Sequence, residues 1–244
     1  MADKYYAEIF NHSGASYHHA MELFPNARDE EFNAALSLLQ LNNADKILDV
    51  PAGGAYLKQY LTDDIEYQGF DFSNGFVSNS QINECSETHL PIDAESIDKA
   101  ICLAAMHHVQ DKKGFVSELY RCLVPGGLLL IGDVVTNSKE AVFLNGFVDD
   151  WNSLGHDGDF INFERESTLL NELGFKTHSI TKHYQWNFES ETKCYEYLRL
   201  LFSLDKQPST FELATAVDQL GASETDSGFH LDWSLGFIIA HKSI

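Results

Sequence analysis

The sequence predicts an α/β fold in which a mostly parallel sheet carries helices on both faces. Three observations lead to this prediction. An apolar run ends at Asp49 and enters a turn of small residues, a second β-prone run ends at Asp71, and an apolar strand, 128–135, follows a Pro-Gly-Gly turn. Helical spacing separates these runs, and such alternation of strand and helix is typical of a parallel sheet. A ligand is then expected at the carboxyl ends of the strands.

The first strand and its turn occupy residues 46–57. The turn consists of small residues, namely Pro51, Ala52, Gly53 and Gly54. Such a turn lets the backbone approach a ligand at the N-terminus of the helix expected next. Close packing of a helix on a sheet produces the same pattern, so this segment alone leaves ligand binding and packing open.

The second strand is predicted over residues 66–71 and ends in Asp71. A carboxylate at this point of a mononucleotide-binding fold accepts hydrogen bonds from two ribose hydroxyls. Phe72, the next residue, is placed to lie against a base. N-capping of the following helix is the alternative role for Asp71, although Ser73 suits that role as well. The spacing of Asp71 from the first turn favours the ligand-binding role over the N-capping role.

Helices are predicted before the first strand. Residues 3–42 are expected to form two or three helices, and Phe32, Leu36 and Leu39 give the last one an apolar face. We expect these helices to cover the bound ligand.

The C-terminal part of the chain completes the sheet and adds two insertions. Periodicity predicts a helix at 163–173, a strand at 175–186 and a final strand at 229–240. The segments 137–162 and 190–221 remain outside the sheet. Insertions at the ligand end of a sheet normally build specificity, so we expect both to form a cap together with the N-terminal helices.

Composition limits the classes of partner. The chain has 37 acidic and 16 basic residues and a net charge of −21, which repels phosphate backbones and anionic lipid headgroups. We therefore expect no nucleic-acid and no membrane partner. The four cysteines show no CxxC spacing, no long apolar run occurs, and no charged and apolar leader opens the chain. These features favour a cytoplasmic protein with free thiols, acting as a monomer or homodimer.

Three further motifs make the pattern specific. Leu90-Pro91-Ile92, Met106-His107-His108-Val109 and Val124-Pro125-Gly126-Gly127 follow the two acids in this order. The ordered set resembles the class I S-adenosylmethionine (SAM)-dependent methyltransferases, in particular the small-molecule branch with LPF-type, LHHV-like and KPGG-type motifs. The resemblance covers about residues 45–135. It implies a Rossmann-like, doubly wound, seven-stranded sheet whose final strand is antiparallel.

The resemblance also implies a domain organisation. The chain, residues 1–244, would form a single SAM-dependent methyltransferase domain. Residues 1–44 would form a helical lid, residues 45–135 the cofactor-binding core, and residues 136–244 a C-terminal part with acceptor-cap insertions.

Four positions match the cofactor contacts of the resembling family. Asp49 matches the acid that organises the loop around the methionine part of SAM, and Gly53 matches the central glycine of that loop. Asp71 matches the acid that binds the ribose hydroxyls. The backbone of Ala104 matches a position that often meets the cofactor.

Three positions depart from the family pattern. Pro51 and Ala55 stand where the family usually has glycines, and Ser86 stands about where many members have an aspartate near the adenine amine. Proline removes a hydrogen-bond donor, and alanine adds a methyl group where close approach is needed. We expect these departures to weaken or reshape SAM binding.

Three histidines are candidates for a catalytic base. An oxygen acceptor often needs a group that takes its proton, and the ordinary pKa of histidine suits that role. His107 and His108 follow the fourth strand at the ligand end, although packing or capping is their alternative role. His156 lies in an unusual loop with an aromatic residue at each end. Asp157 and Asp159 lie beside it, but the spacing matches no established metal motif, so no metal is predicted.

The N-terminal helices carry aromatic residues and one arginine of interest. Tyr17 is a candidate for cofactor contact, within a lid that also contains Tyr5, Tyr6, His18 and His19. Arg28 could bind a carboxylate of SAM or of an acceptor, because its planar fork binds carboxylates bidentately. A surface pair with Asp29 or Glu31 is the alternative.

The sequence therefore predicts an enzyme that transfers a methyl group from SAM to oxygen or nitrogen of a small organic acceptor, leaving S-adenosylhomocysteine. Aromatic flanks suggest an acceptor with an apolar or ring portion: Trp151, Phe160, Tyr184 and Trp186. One alternative is a SAM-binding regulatory protein without turnover, motivated by Pro51, Ala55 and Ser86. Another is a nicotinamide-dependent oxidoreductase, against which the lack of a full GxGxxG motif speaks.

Overall fold

The computed structural model describes residues 6–76 and 81–244. In these ranges the α-helices are α1 (Tyr6–Leu23), α2 (Asp29–Leu39), α3 (Lys112–Cys122), α4 (Lys139–Val142), α5 (Asp149–Trp151), α6 (Phe163–Glu172), α7 (Glu191–Leu201) and α8 (Thr210–Leu220). The strands are β1 (Lys46–Asp49), β2 (Glu66–Asp71), β3 (Ile82–Glu84), β4 (Ile97–Leu103), β5 (Leu123–Asp133), β6 (Phe175–Phe188), β7 (Ala222–Thr225) and β8 (Gly228–Lys242). None of these helices has both the length and the apolar character that crossing a membrane requires.

One mixed sheet holds all of these strands. Its order is β3-β2-β1-β4-β5-β8-β6, and the first five strands pair in parallel. β8 runs antiparallel to both β5 and β6. The predicted doubly wound, mostly parallel sheet is confirmed, including its antiparallel last strand. β7 is an additional strand that the sequence analysis did not predict, and it pairs with the start of β8.

Alternating side chains bury both faces of the sheet. In β1, Ile47 belongs to the core on the face covered by α2, whereas Leu48 belongs to the core on the face covered by α3 and α6. In β5, Leu130 belongs to the same core as Ile47, and Leu129 belongs to the same core as Leu48. Parallel strands buried on both faces carry continuous apolar runs, and these runs are the signal from which β1 and β5 were predicted.

Two predicted boundaries are wrong. After the first turn, residues Tyr56–Tyr60 form a short 3₁₀ helix instead of an α-helix, and the preceding Ala55 takes the left-handed conformation. The turn itself, and not an α-helix N-terminus, therefore faces the ligand region. β5 begins at Leu123 and ends at Asp133, since the Pro-Gly-Gly turn lies inside the strand, where the register against β4 shifts. Val135 forms an isolated bridge with Ile161.

Both insertions are helical. Segment 137–162 holds α4, a π-helical stretch (Phe143–Val148) and α5, while segment 190–221 holds α7 and α8. The helix α1 packs against α7. The N-terminal helices and the second insertion therefore lie together.

The strands β6 and β8 continue beyond the end of β5. β8 pairs with β5 from Gly236 to His241, whereas its pairing with β6 continues to Phe229. We call residues 182–188 of β6 and 229–235 of β8 the sheet extension. It carries Trp186 and Trp233, whose rings stack with their centroids 4.3 Å apart.

Candidate active site

Two cavities lie at the carboxyl ends of the parallel strands. We call the first the loop cavity, because the turn after β1 lines it with Asp49, Pro51, Ala52 and Gly53. We call the second the histidine cavity, because it is lined by His107, His108 and His156. Four residues line both cavities: Phe10, Tyr17, Arg28 and Ala104. The two cavities therefore meet just beyond the end of β4.

The backbone of the turn after β1 explains its small residues. Gly53 and Ala55 adopt the left-handed conformation, with φ values of 55° and 61°. At position 55 the resembling family usually has glycine, and the left-handed backbone gives the reason, since a side chain there costs about 1–2 kcal/mol. Gly54 has a different role, because a Cβ atom on it would lie 2.4 Å from the ring of Tyr56.

Asp49 ends β1 next to this turn. Its side chain is buried and accepts a hydrogen bond of 2.8 Å from the hydroxyl of Tyr67. Burial raises the pKa of Asp49 to about 7, although the hydrogen bond from Tyr67 opposes the rise. A buried carboxylate of this kind is stabilised by a cationic group that enters the cavity.

Asp71 ends β2 and is fully buried. Its Oδ2 accepts from the N–H of Gly53 at 2.8 Å and from the hydroxyl of Tyr6 at 3.0 Å. Its Oδ1 accepts from the N–H of Ser73 at 2.8 Å. Burial raises the pKa of Asp71 to about 6, and these hydrogen bonds limit the rise. Since Tyr6 begins α1, the N-terminal helix already donates a hydrogen bond to the acid that was predicted to bind a ribose.

Two other predicted cofactor contacts lie away from the loop cavity. Phe72 is half-buried and packs edge-on against Tyr6 and Phe115, with centroids 5.4 and 5.6 Å apart. Ser86 is exposed and forms a β-bridge with His89. The described lining of the loop cavity includes neither residue. Base stacking by Phe72 and an adenine contact by Ser86 stay predictions.

Three imidazoles converge in the histidine cavity. One ring nitrogen from each of His107, His108 and His156 lies within 4.8 Å of the others. His107 and His108 come from the 3₁₀ turn after β4, while His156 comes from the loop after α5. The sequence analysis predicted them as separate candidates, and the fold brings them together.

Asp133 is a site residue that the sequence analysis missed. It ends β5, is fully buried, and its two carboxylate oxygens lie 2.7 and 2.9 Å from Nδ1 of His107. The carboxylate also accepts the backbone N–H of His107 at 2.9 Å. A signal was present in the sequence, because Asp133 is the third acid at the carboxyl end of a parallel strand, after Asp49 and Asp71.

Burial and mutual repulsion keep the other two imidazoles neutral. The pKa of His156 is lowered to about 3 by burial and by the neighbouring His107. The pKa of His108 is lowered by burial and by both other histidines. Nδ1 of His156 lies 2.8 Å from the side-chain oxygen of Asn145. At neutral pH each of these two rings therefore keeps a nitrogen lone pair.

Comparison with known proteins assigns a family to this arrangement. Residues 48–131 match the family described as the methyltransferase domain. Residues 48–131 therefore carry a methyltransferase domain of the class I SAM-dependent kind. The resemblance to the class I methyltransferases is thereby confirmed, and SAM is the cofactor instead of a nicotinamide, whereas the small-molecule branch stays a prediction. A search of curated protein sequences gave no match.

Solved structures share the fold of this methyltransferase. A candidate methyltransferase from Bacillus halodurans C-125 has a TM-score of 0.60 at 19% identity, covering 88% of this chain and 100% of that chain. A candidate methyltransferase from Haloferax volcanii, in complex with the activator Trm112, has a TM-score of 0.62 at 15% identity, covering 98% and 97%. Phosphoethanolamine N-methyltransferase 2 from Haemonchus contortus, with phosphomonomethylethanolamine and S-adenosylhomocysteine, has a TM-score of 0.55 at 15% identity, covering 88% and 53%.

The groups around the loop cavity are compatible with the chemistry of SAM, with one exception at Asp71. The turn after β1, the left-handed backbone of Ala104 (φ 52°) and buried Asp49 surround it, and Asp49 suits the positively charged methionine part. At the ribose end, the hydroxyl of Tyr6 already donates to Asp71. A ribose hydroxyl can donate to the same oxygen once Tyr6 is displaced.

Arg28 is buried in the wall that both cavities share. It donates to the hydroxyl of Tyr17 at 2.6 Å and forms an ion pair with fully buried Glu31. Its guanidinium carbon lies 5.3 and 5.4 Å from the ring centroids of Phe32 and Trp186. The expected alternative pair with Glu31 is present, but it lies in the interior and not at the surface. A role for Arg28 toward a carboxylate of SAM or of an acceptor stays a prediction.

Some of the remaining aromatic candidates line a cavity, and others contact residues that do. Tyr17 lines both cavities, and His18 lies with its Nδ1 2.9 Å from the hydroxyl of Tyr56. Trp186 lines the histidine cavity, and Phe160 stacks on His156 with the ring centroids 6.0 Å apart. His19 is exposed, and Tyr5 lies outside the described residues.

Proposed function

We propose that this methyltransferase transfers the methyl group of SAM to an oxygen or nitrogen atom of a small organic acceptor in the histidine cavity. One observation carries the proposal: Phe10, Tyr17, Arg28 and Ala104 line both cavities. An acceptor in one cavity can therefore reach a methyl group presented from the other. In this proposal residues 1–44 act as the lid, 45–135 as the SAM-binding core and 136–244 as the acceptor part.

The walls of the histidine cavity favour an acceptor with an apolar or ring portion. Apart from the imidazoles, many of the lining residues are apolar or aromatic, among them Leu144, Trp186, Phe202 and Trp233. Cavities of this composition bind small organic molecules and orient them with a few polar groups. The net charge of −21 disfavours a polyanionic acceptor. An N-methyltransferase among the fold neighbours supports keeping nitrogen beside oxygen as the methylated atom.

Proton transfer in this proposal depends on His107 and Asp133. Bound SAM supplies a methyl carbon attached to a positively charged sulfur. Enclosure of the acceptor brings its reacting atom close to that carbon in a water-poor site. Asp133 accepts the Nδ1–H of His107 and so leaves Nε2 as the proton acceptor. SAM would supply the methyl group and leave as S-adenosylhomocysteine, while Nε2 of His107 would take the proton that the acceptor atom loses.

A SAM-binding protein without turnover is the second candidate. The hydroxyl of Tyr6 holds Asp71, and Pro51 offers no N–H in the turn. Both features oppose SAM binding, while neither affects the proposed base. Binding of SAM with no transfer to any acceptor would favour this candidate.

Two measurements in sequence test the proposal. Calorimetric titration of the full chain with SAM, S-adenosylhomocysteine and NADH should show binding of the two adenosyl sulfur compounds and none of NADH. A screen of ring-containing alcohols, phenols and amines with methyl-labelled SAM should then show transfer of the label to at least one acceptor. Failure of wild type and of Tyr6→Phe to bind SAM would contradict both candidates.

A further inference from the structure

We propose that His107, His108 and His156 bind a divalent transition-metal ion in the histidine cavity. One ring nitrogen from each already lies within 4.8 Å of the others. Around a tetrahedral zinc ion with bonds of about 2.0–2.1 Å, the ligand nitrogens would lie roughly 3.4 Å apart. We infer that changes in the side-chain torsions close this difference, because the three ring centroids lie only 4.0, 5.5 and 5.2 Å apart.

Two polar side chains hold the imidazoles as a metal site requires. Nδ1 of His107 lies 2.7 Å from Asp133, and Nδ1 of His156 lies 2.8 Å from the side-chain oxygen of Asn145. Histidines that bind metals commonly donate their second ring N–H to a carboxylate or another oxygen, which fixes the tautomer and the ring orientation. Nε2 is therefore the ligand atom that we assign to both rings.

The loop that carries His156 is anchored at both sides of the ring. The backbone N–H of His156 donates to Asp149 at 2.7 Å, and the N–H of Gly158 donates to Asn145 at 2.8 Å. Asn145 thus holds both the imidazole and the loop. His107 and His108 are held from the other direction, by the 3₁₀ turn that directly follows β4. The backbone on both sides of the proposed site is therefore held in place without a metal.

The donor set selects the class of ion. Three imidazole nitrogens suit zinc, cobalt, nickel, copper or iron, whereas magnesium and calcium prefer oxygen ligands. Three protein ligands leave a further position open, as in catalytic zinc sites, and here that position faces the cavity that the rings line. An acceptor hydroxyl bound there would lose its proton more readily. With a metal bound, Nε2 of His107 is a ligand, so this route would replace proton uptake by that nitrogen. This last role rests on the proposed function, whereas metal binding itself does not.

Cobalt titration of the chelator-treated full chain tests the site without any acceptor. We expect one Co²⁺ per chain, visible absorption bands of four- or five-coordinate cobalt, and displacement by Zn²⁺. His156 is a half-buried loop residue, and His156→Ala removes its imidazole as a ligand. Cobalt binding should weaken at least about tenfold, since removing even an outer-shell partner costs about 10–100-fold. His183→Ala, an exposed histidine of β6, is the matched control.

Asn145→Ala provides a second variant that leaves all three ligands in place. Asn145 is exposed, so the fold should tolerate the change, and cobalt affinity should fall about 10–100-fold because His156 loses its oriented partner. Circular dichroism of each variant checks the fold.

The outcomes separate the metal site from the proposed function. The site is supported if the wild type binds one Co²⁺ per chain, if His156→Ala binds it more weakly, and if His183→Ala binds it as the wild type does. Absence of cobalt binding by the wild type, or equal binding by wild type and His156→Ala, overturns it. SAM titration of the same metal-free samples reports on the loop cavity, so SAM binding without cobalt binding would overturn the metal site alone. Cobalt binding without SAM binding would overturn the proposed function alone.

Discussion

The loop cavity and the histidine cavity lie side by side, but the chain builds them in different ways. The loop cavity takes many of its walls from one stretch, residues 49–57, together with Ala104 and the N-terminal helices. The histidine cavity takes its walls from α1, α7, the sheet extension and the first insertion. The matched methyltransferase region, 48–131, contributes only Ala104, His107 and His108 to its described lining. The walls of the loop cavity are thus concentrated in one stretch of the sequence, whereas those of the histidine cavity are assembled from more widely spaced segments.

The two cavities also differ in the state of their polar groups. Beside the loop cavity, Asp71 already accepts hydrogen bonds from Tyr6, Gly53 and Ser73. In the histidine cavity three imidazoles face one another. In the proposed function, the hydroxyl of Tyr6 must leave Asp71 before a ribose can bind there. The three imidazoles are the groups that we propose to take a proton or a metal ion. Substitutions should therefore affect cofactor affinity and turnover separately.

The largest expected effect is on turnover. His107→Ala should lower kcat at saturating SAM by about 10²–10⁴-fold, because that is the usual contribution of a positioned general base. SAM affinity should stay unchanged, and Asp133→Asn should lower kcat in the same direction. The measurements are steady-state kinetics with an acceptor from the screen and calorimetry with SAM. Full turnover in folded His107→Ala would remove His107 from the chemistry, and an equal loss of SAM affinity would break the separation of the two cavities.

The next largest effect is on cofactor affinity. Asp71→Asn should weaken SAM binding by about 1.5–3 kcal/mol, because hydrogen bonds to a charged group contribute about that much. This corresponds to roughly 10- to 150-fold in Kd. Calorimetry measures the change, and thermal unfolding verifies that the variant is folded. Unchanged SAM affinity would remove Asp71 from the cofactor site.

A smaller effect of opposite sign is expected at Tyr6. Tyr6→Phe removes the hydroxyl that competes with the ribose for Asp71, so SAM should bind more tightly, by about fivefold for a net hydrogen bond of about 1 kcal/mol. Tyr60→Phe is the control, since that hydroxyl donates to Asp29 instead. Weaker SAM binding in Tyr6→Phe would mean that Tyr6 assists the cofactor and does not compete with it.

The smallest effect is a pH dependence of SAM binding. Burial raises the pKa of Asp71 to about 6, and a ribose hydroxyl donates best to the ionised carboxylate. SAM affinity should therefore fall as the pH is lowered through about 6, and Asp71→Asn should abolish this step. Asp49, with a pKa of about 7, should leave a second step in both proteins. Titrations at several pH values would contradict the assignment if wild type and Asp71→Asn gave the same profile.

The same raised pKa affects folding stability. The ordinary pKa of this carboxyl is 3.8, and the folded state raises it to about 6. Between these values the folded chain keeps a proton that the unfolded chain releases. The contribution of Asp71 to the free energy of unfolding therefore falls as the pH rises through this window.

The sequence was sufficient for the sheet and for the acids that end β1 and β2. Buried parallel strands leave continuous apolar runs, and a strand end followed by a turn makes an acid conspicuous. The pair of His107 and Asp133 was missed because its members lie 26 positions apart and meet only through the pairing of β4 with β5.

The contact of Tyr6 with Asp71 shows the same limit more strongly. The two residues are 65 positions apart. No local sequence pattern predicts which hydroxyl of a helix will contact a given acid. The position of His156 likewise depends on Asn145 and Asp149 in the preceding helical segment. Contacts between segments far apart in the chain are fixed by tertiary packing, which periodicity does not encode.

The sheet extension gives the histidine cavity one stiff side. Trp186 and Trp233 stand on strands whose backbone hydrogen bonds continue into the pairing of β8 with β5. The side formed by α1 has no such ladder and is held by packing against α7 and the turn that follows β2. An acceptor would thus contact a hydrogen-bonded sheet on one side and a packed helix on the other. Substitution of Trp233 should change which molecules are admitted, whereas substitutions along α1 should change how long each one stays.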